Sequence, residues 1–213
     1  MKQAILLIVI FFVISCQKSI PKEKTESEYP DMEESIRLND FVFGQTFLES
    51  EDTLALIAAL DSANKILDLR IDDKMKQIAI RNKILVLGML NRTKEAFLLQ
   101  DEVIDTGAMN IDRLTYNAIK ALLNDKKDVA DYYLTTAVLQ YNKLQNTSKP
   151  DINLFIKRIG ICMIQNKDEE ARSLLEHALN DNPNNLMLQD YNARYEFYKG
   201  MWLDVFETLK SQW

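Results

Sequence analysis

Four turn-forming residues, Asn91, Asp125, Asn166 and Gly200, are each followed five positions later by a small or compact one, Ala96, Ala130, Ala171 and Val205, and these are spaced by 34, 41 and 34 residues. No other feature constrains the fold as much. Asn, Asp and Gly tolerate the left-handed backbone that ends a helix, so each marks a turn between two helices. After each small residue, Gln100, Leu134, Leu175 and Leu209 follow by four positions, and Val103, Ala137, Ala178 and Gln212 by three more, which is one face of a helix. Before each turn, Ile84, Ala118, Ile159 and Ala193 stand seven positions upstream, with Leu87, Ala121, Cys162 and Glu196 three residues after them. The pattern predicts an all-α chain of helix pairs. Only 5 Gly and 4 Pro in 213 residues agree with this, because an all-β sandwich needs turn residues at short, regular intervals.

A unit of 34 residues, with small side chains where two antiparallel helices approach, resembles the tetratricopeptide repeat (TPR). The stretch 152–185 matches best, with Ala171, Leu175, Ala178 and Pro183 on the family's columns. Elsewhere the large first-helix position is held by Ile80, Leu114, Phe155 and Gln189, and the neighbouring Gly column is absent. The resemblance covers residues 74–213, and a divergent pair over 32–70, carrying Ala59, Ala63 and Ile66, brings the expectation to an α-solenoid of five TPR-like pairs. The seven extra residues between Ala130 and Ala171 are expected in a longer helix or loop around 145–150. The resemblance implies a concave face lined by first helices, with Arg81, Leu85, Thr115, Ile119, Ile156, Met163, Asp190, Tyr191, Arg194 and Tyr198 pointing into a groove for a protein or peptide partner. The Lys and Asn set with which some members clamp a terminal carboxylate is missing, so that activity is not expected.

The N-terminus carries a different message. Met1, Lys2 and Gln3 precede an unbroken apolar run, Ala4 to Val13. That run is too short to span a bilayer, which takes about twenty helical residues, and is the length of a signal-peptide core. It ends in Val13, Ile14, Ser15 and Cys16, which resembles the lipobox of bacterial lipoproteins. The resemblance implies a signal peptide over 1–15, a Cys16 that carries palmitate-like acyl chains and becomes the mature N-terminus, and a membrane anchor made effectively permanent by two or more chains. Cys162 is then the one remaining thiol, and an intramolecular disulfide is ruled out. Residues 16–30, with two prolines and several charges, read as a flexible tether, and Asp31 to Glu34 read as a helix start opening a domain over 31–213. With no Asp after Cys16, the chain resembles lipoproteins of the outer membrane that face the periplasm.

The search for chemistry returns little. With 26 basic against 32 acidic side chains and no long basic run, nucleic acid is not an expected partner. His177 is the single histidine and has no ligand partner at metal spacing, and the five glycines are isolated, so neither a metal, nor a nucleotide, nor any other cofactor is expected. Glu33 with Glu34 and Glu169 with Glu170 are adjacent on helices and point about 100° apart, which suits helix starts better than acid–base pairs. Cys162 falls on a core column. The chain therefore reads as a binding protein of the bacterial cell envelope and not as an enzyme, in the manner of envelope-assembly and secretion lipoproteins. The other reading is an envelope enzyme or accessory subunit acting on glycans, with the solenoid as scaffold. Tyr191, Tyr195, Phe197, Tyr198, Trp202, Phe206 and Trp213 concentrate aromatic surface near the C-terminus, where a partner or a second copy is expected to bind.

Overall fold

The computed structural model describes residues 29–48, 52–104, 110–147 and 151–213. The apolar run, Cys16 and all but the last two residues of the tether lie outside them. The described residues form ten α-helices and no strand, arranged in two compact units.

The first unit runs through Val103 and holds α1 (Met32–Leu48), α2 (Thr53–Asp68), α3 (Asp73–Met89) and α4 (Thr93–Leu99), the last continued by a 3₁₀ turn at Gln100–Glu102. Local sequence explains the starts. Asp52 accepts hydrogen bonds from the Leu54 and Ala55 amides at the head of α2, and Asp72 accepts one from Met75 at the head of α3. Helix α1 begins where the acidic signal placed it, but the Asp31 carboxylate accepts from the Arg70 amide at 2.8 Å, tying the entry of α1 to the loop before α3. Leu38, Val42, Leu56, Ala59, Leu60, Ala63, Ile66, Ala79, Ile80, Ile84 and Leu87 make one continuous core. Asn39 bridges two helices inside it, donating to the Ser35 carbonyl and accepting from Asn82 at 2.7 Å.

The second unit spans Ile104–Ser211 with Trp213 and contains α5 (Ile111–Leu123), α6 (Lys127–Thr147), α7 (Ile152–Ile164), α8 (Asp168–Asp181), α9 (Leu186–Ala193) and α10 (Tyr195–Gln212). Asn110, Asp151 and Asn185 cap α5, α7 and α9 through their side chains. The extra residues after Ala130 lengthen α6 to 21 residues, against 13 in α5 and α7.

Three of the four turn positions are repeated atom for atom. Asn91, Asp125 and Asn166 have φ of 59°, 55° and 54°, the left-handed region. In each, the following amide bonds back to the third-last helical carbonyl (Arg92 to Leu87, Lys126 to Ala121 and Lys167 to Cys162, all 2.9 Å). The turn residue's own amide bonds to the next carbonyl (Asn91 to Gly88, Asp125 to Leu122, Asn166 to Met163). This is the Schellman closure of a helix, used three times to reverse the chain. The small residues Ala96, Ala130 and Ala171 are buried, as are the first-helix columns Ile84, Ala118, Ile159 and Leu87, Ala121, Cys162.

The fourth position departs. Gly200 has no positive φ and lies inside α10, an uninterrupted 18-residue helix, while the break falls at Arg194. Gln189, Ala193 and Glu196 are exposed, and Leu188, Tyr191, Tyr195 and Tyr198 are buried instead. The reason is the apolar period. Tyr195, Tyr198, Met201, Val205 and Leu209 form one buried stripe straight through Gly200, and burying it outweighs the roughly 1 kcal/mol that a glycine costs a helix interior. Gly200→Ala is therefore expected to stabilise the protein by about 0.5–1 kcal/mol, since an added Cβ meets nothing within 4 Å. Thermal unfolding tests this, and a loss of stability would restore the turn.

Helix α10 also takes an unexpected course. At its start, Tyr195 donates to Asp168 at 3.4 Å, Lys199 pairs with the same carboxylate, Glu196 pairs with Arg172, and the Arg172 guanidinium lies 4.3 Å over the Tyr195 ring. Beyond its other end, Trp213 Nε1 donates to Asn124 Oδ1 at 3.3 Å. The helix thus runs from the α7–α8 turn to the α5–α6 turn, across two hairpin ends of its own unit.

Candidate binding surface

The structure sorts the expected groove positions by burial. Thr115, Ile119, Ile156, Met163, Tyr191 and Tyr198 are buried, and the Thr115 hydroxyl donates to its own helix at the Ile111 carbonyl. Leu85 packs on the core of the first unit. Arg81 and Asp190 are half-buried and Arg194 is exposed. A buried side chain has no area left to offer a partner, so of the expected lining Arg81, Leu85, Asp190 and Arg194 present surface.

Four of these positions do converge, at the α9–α10 break. The Tyr191 and Tyr198 rings stack at 4.3 Å between centroids and 10° between planes. The Tyr198 hydroxyl donates to Asp190, and Arg194 pairs with the same carboxylate at 2.8 Å. Burial pushes the Tyr198 hydroxyl up to about 12, helped by its bond to Asp190, and burial raises Tyr191 too. The cluster is a joint. It fixes the angle between two helices and leaves no open ring face for a ligand. Of the aromatics gathered near the C-terminus, Tyr191, Tyr195 and Tyr198 are buried, Trp202, Phe206 and Trp213 are half-buried, and Phe197 is 49% exposed.

Cys162 occupies the core column assigned to it. Arg158, itself buried, donates to Cys162 Sγ at 3.3 Å and pairs with Glu170. Burial nonetheless dominates at the thiol and pushes it up to about 11, so the reactive thiolate is scarce at neutral pH. His177 is exposed, and among the described residues no cluster of His, Cys, Asp and Glu is placed to hold a metal ion. No helix among them is long and apolar enough to cross a membrane.

Alkaline pH should loosen the second unit. Tyr195, like Tyr198, is pushed up to about 12, chiefly by burial, and Tyr141 is raised for the same cause. Each of these groups, with Cys162, holds its proton more firmly folded than unfolded, where tyrosine titrates near about 10 and cysteine near about 8.5. Their stabilising contribution is complete below the unfolded values and is lost as pH rises through the folded ones. Denaturant midpoints should therefore be level up to about pH 8.5 and fall between about 9 and 12; a flat profile there would contradict the burial of these hydroxyls.

The surface that the sequence did not single out lies on α1 and α2. Ile36, Phe41, Phe43, Leu54 and Ile57 are 42–77% exposed, Leu54 the most. The available signal was an excess of apolar residues over one core stripe: Phe41 and Phe43 flank the buried Val42, and Ile57 sits beside the buried Leu56.

No protein-family model, curated protein or solved structure matches the chain.

Proposed function

We propose that the chain is a TPR-like lipoprotein of the bacterial cell envelope, anchored through Cys16 in the outer membrane and facing the periplasm, which acts as an adaptor by binding another protein. The observation that carries the binding role is the apolar face of the first helix pair. A helical stack needs polar outer faces on its terminal pairs to remain soluble. Here the first described pair presents Phe43 and Leu54 at 57% and 77% exposure, on the pair nearest the tether. Large apolar side chains left exposed on one helix pair are a mark of protein contact sites. The repeated Schellman turns support the TPR-like reading, and the apolar core followed by the Val13–Cys16 motif supports the anchor.

A photo-crosslinking residue at position 54, in cells, is expected to trap one dominant envelope protein, and the adduct should disappear with Phe43→Asp. Recovery of the chain without any reproducible adduct would overturn the adaptor role. Cys16→Ser is expected to move the protein from the membrane to the soluble fraction, because the acyl chains supply the binding; retention in the membrane, or recovery of the wild type in the inner membrane, would refute the anchor or its address.

A further inference from the structure

We propose that the outer face of α6 is a self-association surface that receives α6 of a second copy of this chain, antiparallel and about a two-fold axis. The face lies wholly within the second unit and does not depend on which protein the first helix pair binds.

Helix α6 carries two stripes of the same spacing. Ala130, Leu134, Ala137 and Tyr141 are buried in the core of the unit. On the opposite side, Asp128, Tyr132, Thr135 and Leu139 repeat the same four-three-four steps and are all exposed, Tyr132 at 66% and Leu139 at 62%. A solvated helix face has no need of Tyr and Leu seven residues apart. A helix–helix seam does, since knobs recur at steps of three and four.

Charge selects the occupant and its direction. One end of the outer stripe is acidic, with Asp128 and Asp131, and the other carries Lys143. Lys127 is turned about 100° around the helix from Asp128 and stands off the stripe. With a two-fold axis between Thr135 and Thr136, Tyr132 meets the second copy's Leu139 and Asp128 meets the second copy's Lys143, and symmetry makes each contact twice. A parallel pairing would set Asp128 against Asp128 and is disfavoured. The contact is one helix wide, which places it among weak interfaces below roughly 1,200 Å², so a trapping measurement suits it.

The test is disulfide crosslinking of the full-length chain under mild oxidation, with the wild type, which holds the native cysteines, as background. Thr135→Cys, next to the axis, is expected to give a covalent dimer of twice the chain mass. Asp128→Cys alone is expected to give none, because its symmetry mate lies some 20 Å away along the helix, whereas Asp128→Cys combined with Lys143→Cys is expected to crosslink. Adding Leu139→Asp to Thr135→Cys should reduce the dimer about tenfold or more, and as Leu139 is exposed the helical circular dichroism should not change. A Thr135→Cys chain that stays monomeric, equal crosslinking of Thr135→Cys and Asp128→Cys, or an adduct of any other mass would each overturn the proposal.

Discussion

Leu175→Ala is expected to remove about 2–5 kcal/mol of stability, the range for deleting a large aliphatic side chain from a close-packed site. Leu175 is 1% exposed and stands between Ala171 and Ala178, both fully buried, on the face of α8 that meets its partner helix. Alanines on both sides let the backbones approach closely around the buried leucine. Its removal leaves a cavity that rigid neighbours cannot close. Domains are stable by only about 5–15 kcal/mol, so the change should lower the unfolding temperature by many degrees. Leu203→Ala on α10, at a site 42% exposed, is the control and should shift stability by less than about 0.5 kcal/mol. Equal effects at the two sites in a denaturant titration would mean that α8 does not bury the face described.

Asn166→Val should destabilise by about 1–2 kcal/mol through the backbone, since a β-branched residue is poorly suited to the left-handed region that Asn166 adopts at φ 54°. The same change at Asn91 and Asp125, whose closures use the same two backbone bonds, should cost the same. The sites share no partners, so the triple variant should lose about 3–6 kcal/mol, close to the sum. Replacement by glycine at any of the three should be nearly neutral, because glycine enters this region freely. Urea unfolding of the single and triple variants checks both statements. Unequal single-site losses would show that the turns are held by tertiary context and not by their own geometry.

These turns show which part of the fold was legible. Asn91, Asp125 and Asn166 could be placed from sequence because a residue that tolerates the left-handed region and a small residue five positions on act locally, within a few residues. The burial of Ala96, Ala130 and Ala171 was legible for the related reason that small residues recur where helices touch. Gly200 misled because its flexibility is a permission and not an instruction: the continuous stripe from Tyr195 to Leu209 decided the outcome, and its strength depends on what it packs against. The burial of the expected groove positions was not legible either. Whether Ile119 or Ile156 faces a cleft or a neighbour depends on the approach of other helices, which no local period encodes, and here both are sealed. The exposed faces of α1, α2 and α6 were present in the sequence as apolar residues in excess of one stripe, a signal that requires the core stripe to be known first.

The path of α10 changes how the second unit comes apart. In a stack whose pairs touch only their neighbours, ends fray and middles persist, and unfolding spreads pair by pair. Trp213 meets Asn124 across 89 residues of chain, and Lys199 meets Asp168 across 31, so one helix ties the opening hairpin of the unit to a later one. Neither hairpin can leave without breaking the tie. Fraying at either hairpin should therefore be felt at the other, a coupling absent from a stack held only by neighbouring pairs.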